Sequence, residues 1–63
     1  MDFIEEIAKT DNGKTYRYRI YVDRLTGKPR IWSCNAGDYV FTNMNFTRFI
    51  TARDFLRKWL SNW

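Results

Sequence analysis

The chain has no histidine and a single cysteine, Cys34. Without an imidazole there is no histidine triad, no histidine-ligated zinc site and no default general base. With one thiol there is no intramolecular disulfide, no four-cysteine metal site and no CxxC redox pair. Proline occurs once and glycine three times, which leaves no room for a flexible linker or a low-complexity tract. No apolar run approaches the ~20 residues that cross a membrane. The start, Met1-Asp2-Phe3-Ile4-Glu5-Glu6, is too acidic for a secretory signal. A lone thiol fits a reducing interior, so the expected compartment is a cytoplasm, that of a bacterium or of a host cell.

Acidic side chains are also sparse. Seven carboxylates stand against eleven Lys and Arg, for a net charge of +4. Asp2, Glu5, Glu6, Asp11, Asp23, Asp38 and Asp54 form no DxD or ExxE pair beside a Gly-rich phosphate loop. No catalytic residue, metal site or cofactor is therefore expected. Asp11 and Asp23 lie in turn-like sequence, where Asp serves the backbone. Cys34 has Trp32, Ser33, Asn35 and Ala36 beside it and no base, so it reads as a small, partly buried apolar side chain. A chain this short also has little volume for a ligand pocket of the usual ~300–1,000 Å³.

What is present is a folding composition. Hydrophobic residues make up 44% of the 63, with five Phe, four Tyr and three Trp, and large rings help a small chain bury enough area. The expectation is one domain over 1–63, of modest stability, because chains of this size bury only roughly 60% of their unfolded surface.

The clearest element is the last. Ala52, Phe55, Leu56, Trp59, Leu60 and Trp63 recur at steps of three and one, the stripe of one helix face. The spacing predicts a helix over 52–62, with Thr51 as N-cap and Asp54 completing a short capping box. Upstream, Thr15 to Asp23 alternates strictly. Tyr16, Tyr18, Ile20 and Val22 point one way, and Arg17, Arg19, Tyr21 and Asp23 the other. Asn12-Gly13 before it is a hairpin signal, because a type I′ turn needs positive φ twice. With those two residues as the loop, Thr10 faces Thr15, Ile7 faces Tyr18 and Glu6 faces Arg19, so 3–10 reads as a first strand. A short helix over 2–9, capped by Asp2, is the competing reading; the explicit turn favours the strand.

Arg24-Leu25-Thr26-Gly27-Lys28-Pro29 reads as a second turn, with Pro29 at a strand start or edge. Arg30 to Cys34 reads as a strand, Asn35 to Asp38 as a third turn, and Tyr39 to Phe46 as a further strand. The expected fold is α+β: an antiparallel meander of three or four strands with one C-terminal helix packed on one face.

Charge is placed unevenly along this scheme. Residues 14–30 carry Lys14, Arg17, Arg19, Arg24, Lys28 and Arg30 against Asp23 alone. If the helix covers the Tyr16/Tyr18/Ile20/Val22 face, the opposite face shows Arg17, Arg19 and Tyr21. Arg30 and Trp32 share a face, and one register places them alongside. Arg24, Lys28 and Lys14 extend the set from the turns. Arginines interleaved with rings suit a phosphate backbone and unstacked bases. The candidate nucleic-acid-binding residues are Arg17, Arg19, Tyr21, Arg24, Lys28, Arg30 and Trp32. The plainer account is that alternating Arg keeps a small sheet soluble and blunts edge pairing.

Gly13-Lys14-Thr15-Tyr16-Arg17-Tyr18-Arg19, the turn Asp23 to Lys28, and Phe49-Ile50-Thr51-Ala52-Arg53-Asp54-Phe55 together resemble the sheet-plus-helix DNA-binding domain at the N-terminus of some tyrosine recombinases, the arm-type binding domain. The resemblance covers about 45 residues. It implies a three-stranded sheet laid in the DNA major groove with a C-terminal helix behind it. By the same resemblance Arg17, Arg19, Arg30 and Tyr21 face DNA.

Two functional readings follow. The first is a small non-enzymatic nucleic-acid-binding module, with DNA the favoured polymer. The second is a phage-type regulator or inhibitor that docks on a host protein, because Trp, Tyr, Phe and Arg dominate interface hot spots. Trp59 and Trp63 on one short helix also leave open a homodimer through that helix.

Overall fold

A computed structural model describes residues 4–63 of the chain. Four strands, β1 (Glu5–Asp11), β2 (Lys14–Val22), β3 (Pro29–Ser33) and β4 (Asp38–Val40), precede a single helix, α1 (Phe49–Ser61). The strands form one open antiparallel sheet in the order β1-β2-β3-β4. The chain is thus an α+β meander of four strands with one C-terminal helix.

The first hairpin follows from its turn. Asn12 and Gly13 take φ of 51° and 76°, the left-handed pair that a type I′ loop demands. This sets Thr10 opposite Thr15, Ile7 opposite Tyr18 and Glu6 opposite Arg19. The two threonine hydroxyls meet at 2.9 Å. Residues 5–11 are therefore strand and not helix; Asp2 and Phe3, invoked in the two readings of the N-terminal segment, lie outside the described residues.

The second connection is braced from within. Asp23 Oδ1 accepts from the backbone N–H of Leu25 at 2.8 Å and of Thr26 at 3.4 Å. The Asp23 carbonyl accepts from Gly27 N–H at 2.7 Å, and the Asp23 N–H donates to the Lys28 carbonyl at 2.9 Å. Such an Asx turn rigidifies a loop that a flexible sequence leaves loose. At the third connection the backbone stays bonded to β2 through Cys34, whose N–H donates to the Arg17 carbonyl at 2.9 Å, and the Asn35 side chain continues the pairing beyond it. Its Oδ1 accepts from Arg17 N–H at 3.0 Å and its Nδ2 donates to the Thr15 carbonyl at 3.1 Å.

Two expectations fail at the chain's second half. The strand predicted over 39–46 stops at Val40, because Phe41 takes φ of 56° and turns the chain out of the sheet. The Phe41 ring then packs on Phe55 and Trp59, centroids 4.9 and 5.1 Å away, contacts a continued strand lacks. The helix starts at Phe49, with Arg48 at the N-cap and no side-chain cap bond. Thr51 and Asp54 lie inside the helix, so no capping box forms. The cause is apolar: an earlier start lets Phe49 join the partly buried rings packed against the core.

Tyr18, Ile20, Ile31, Phe46, Ala52, Leu56 and Leu60 form the buried core. All the strand members among them sit on one sheet face, the face α1 covers. Burial pushes the Tyr18 hydroxyl pKa up, with Tyr16 adding to it. Two polar ties fasten α1 to β1. Arg57 donates to Glu5 Oε2 at 3.0 Å. Lys9 Nζ donates to the Leu60 carbonyl and lies 5.6 Å from the Trp63 ring centre, setting a cation at the negative end of the helix.

Candidate nucleic-acid interface

Side chains alternate across a strand, so the register fixes what the uncovered face carries. Glu6, Ala8 and Thr10 come from β1; Thr15, Arg17, Arg19 and Tyr21 from β2; Arg30 and Trp32 from β3; Tyr39 from β4. Cross-strand neighbours pair Arg19 with Trp32, Tyr21 with Arg30 and Trp32 with Tyr39. The sheet thus brings Arg17, Arg19, Tyr21, Arg30 and Trp32 onto one surface with no helix over it.

That surface has two halves. Toward β1, one carboxylate holds two guanidinium groups. Glu6 Oε1 accepts from Arg19 Nε at 2.9 Å, and Glu6 Oε2 accepts from Arg17 at 3.4 Å. The hydrogen bond from Arg19 is the main cause of a Glu6 pKa held below its ordinary value, with the charges of both arginines adding to it. Arg19 in turn is held more firmly protonated by Glu6 and by a hydrogen bond with Tyr21. Both arginine side chains remain solvent-accessible, at 54% and 38%. Two positive charges share one negative, so this half keeps a net charge of one.

Toward β4, rings dominate. Tyr39 stands at the centre, edge-to-face with Trp32 at 5.0 Å and with Tyr21 at 6.5 Å between centroids. The Arg30 guanidinium carbon lies 3.6 Å from the Tyr39 ring centre, a cation–π stack. Among the described residues no carboxylate pairs with Arg30 or Arg24. Arg24 stands on the Asp23 turn beside this half, and a cleft of about 250 Å³ opens between that turn and the rings.

The remaining turn cations diverge. Lys28 Nζ donates to Asn45 Oδ1 at 3.3 Å, in the segment leading to α1. Lys14 lies 5.2 Å from the Tyr16 ring centre, at a core-face position of β2. Neither joins the arginine set. Tyr39, absent from the sequence-derived set, is the hub of the ring cluster. Its signal was the four-residue turn Cys34–Gly37, which with Gly37 at φ of 67° sets Tyr39 opposite Trp32.

Comparison with family models, with curated proteins and with solved structures finds no match for this chain. Among the described residues no group of three or more Cys, Asp or Glu side chains is placed to hold a metal ion, and no helix is long and apolar enough to cross a membrane.

Proposed function

We propose that this chain is a non-enzymatic nucleic-acid-binding module that works through its uncovered sheet face. The observation that carries the reading is the joining of Arg17, Arg19 and Arg30 with Tyr21, Trp32 and Tyr39 on one face opposite the helix. Guanidinium groups bind phosphate oxygens with a planar fork, and rings offer surfaces to bases. The resemblance to the recombinase arm-type domain points to DNA as the polymer, carried here on four strands in place of three. The single cysteine, half-buried, fits a cytoplasmic setting.

Filter binding of one sequence as single strand and as duplex, across a salt titration, tests the proposal. The expected result is retention that weakens steeply with salt, with a log–log slope of about −0.7 per phosphate neutralised on a single strand or −0.9 on a duplex. No retention of either form at low salt overturns it. A protein partner on the same face is the second reading. What favours it is the exposed-face cluster of Tyr21, Trp32 and Tyr39 with Arg30, the residue types that anchor protein interfaces.

A further inference from the structure

The cleft beside the ring cluster has a more specific shape than a phosphate-tracking surface needs. Tyr21 and Tyr39 line it from the sheet, Leu25 from the turn, and Arg24 and Arg30 supply two guanidinium groups. Its volume of about 250 Å³ falls just below the ~300 Å³ at which sites for whole small-molecule ligands begin. A single planar, weakly polar group with an attached anion matches that size and chemistry. Among the described residues one acidic side chain lines it, Asp23, whose Oδ1 accepts from the Leu25 and Thr26 N–H groups.

Leu25 is the informative residue. At 97% exposure it contributes nothing to the chain's own core. The turn backbone that carries it is nonetheless held by the Asp23 side-chain bonds and by the Gly27–Asp23 and Asp23–Lys28 backbone pairs. A large apolar side chain carried on a fixed turn backbone, across a cleft from two tyrosines, supplies a second apolar wall to the cleft. The cavity on the other side of Tyr39 is smaller, about 110 Å³, has Met44 and Phe46 among its walls and takes only Arg30 as a charged lining residue.

Resting on the reading of the sheet face as a nucleic-acid surface, we propose that this cleft seats one unstacked nucleobase between Leu25 and the Tyr21/Tyr39 pair, with its flanking phosphate on Arg24 and Arg30. A base inside a duplex is stacked on both sides and cannot enter such a slot without being extruded. The consequence is a preference for single strands over duplex.

The test compares three probes of equal length: oligothymidylate, the same backbone with abasic sites, and a duplex. The base-bearing strand is expected to bind the wild-type chain roughly five- to a hundredfold more tightly than the abasic strand, the range of one base–aromatic stack. Leu25→Ala, a change at a fully exposed side chain that leaves folding alone, is expected to erase most of that advantage while leaving the affinity for the abasic strand unchanged. Tyr39→Leu, checked for folding by circular dichroism, is expected to erase the same advantage and also to weaken abasic binding, because the Arg30 guanidinium loses the ring it stacks on. Equal, salt-sensitive binding of all three probes, unaffected by Leu25→Ala, overturns the base slot and leaves the sheet-face reading standing. Absence of binding to every probe overturns both, and points to a protein as the occupant of this face.

Discussion

Arg19 and Glu6 face each other across β1 and β2, and the Arg19 Nε donates to Glu6 Oε1 at 2.9 Å. The pair does two things. It fastens the edge strand to its neighbour, and it ties a guanidinium group to the uncovered sheet face, on the residue that pairs with Trp32.

The first consequence is a pH dependence of known sign. Arg19 and Arg17 depress the Glu6 pKa in the folded chain, so between the depressed and the ordinary value the unfolded chain binds more protons than the folded one. The stability that Glu6 adds is fully present above the ordinary carboxylate value and is lost as pH falls through the depressed one. A carbon-13 NMR titration of the Glu6 carboxyl is expected to give a midpoint below 4.5, the ordinary value. In Arg19→Gln the midpoint is expected to rise toward it. A midpoint that Arg19→Gln leaves in place contradicts the pairing.

The helix carries an avoidable weakness at its start. Arg48 occupies the N-cap without a side-chain cap bond, and a cation sits poorly at the positive end of a helix. Arg48→Ser is expected to stabilise the chain by about 1 kcal/mol in urea denaturation, the usual value of a Ser cap. A midpoint unchanged or lowered contradicts the assignment of the helix start.

At the other end Lys9 closes the helix. Its Nζ donates to the Leu60 carbonyl beside the Trp63 ring. Lys9→Met keeps the aliphatic stem and removes the charge. The expected loss is about 1 kcal/mol, the scale of one charge-assisted bond at a helix C-terminus. No loss shows that the tie is idle in solution.

Phe41 separates backbone strain from packing. Its φ of 56° costs a residue bearing Cβ about 1–2 kcal/mol, and its ring contacts with Phe55 and Trp59 offset that. Phe41→Ala is expected to destabilise by about 3 kcal/mol, the low end for losing a packed ring. Phe41→Gly is expected to lose about 1 kcal/mol less, the reverse of the order found in regular strands. The opposite order contradicts the left-handed assignment.

Much of this was legible in the chain itself. With Asn12-Gly13 as a two-residue loop the register is fixed, and that register sets Glu6 against Arg19. The alternation from Tyr16 to Val22 divided core from surface because α1 presents a single apolar stripe. The end of β4 at Val40 was not legible, because Tyr39 to Thr42 are all strand formers and the weakening residues, Asn43 and Asn45, come only further on. What breaks it is a tertiary gain, the seating of the Phe41 ring against Phe55 and Trp59. The helix start was hidden for a similar reason: Thr51 and Asp54 are a plausible cap locally, and the gain from packing Phe49 overrides it. Within the site, Arg17, Arg19, Tyr21, Arg30 and Trp32 follow from strand parity. The divergence of Lys28 toward Asn45 depends on a loop whose path no periodicity predicts.

The nucleic-acid reading is tested most directly by two charge changes of opposite effect on one face, measured as salt-dependent binding of a single-stranded oligonucleotide. Glu6→Gln removes the negative charge between Arg17 and Arg19 and is expected to tighten binding at low salt, an effect that fades as salt screens it. Arg30→Ala is expected to weaken binding and to make the salt slope shallower by about one contact. Binding that neither substitution moves, or no binding at low salt by any of the three proteins, contradicts the account.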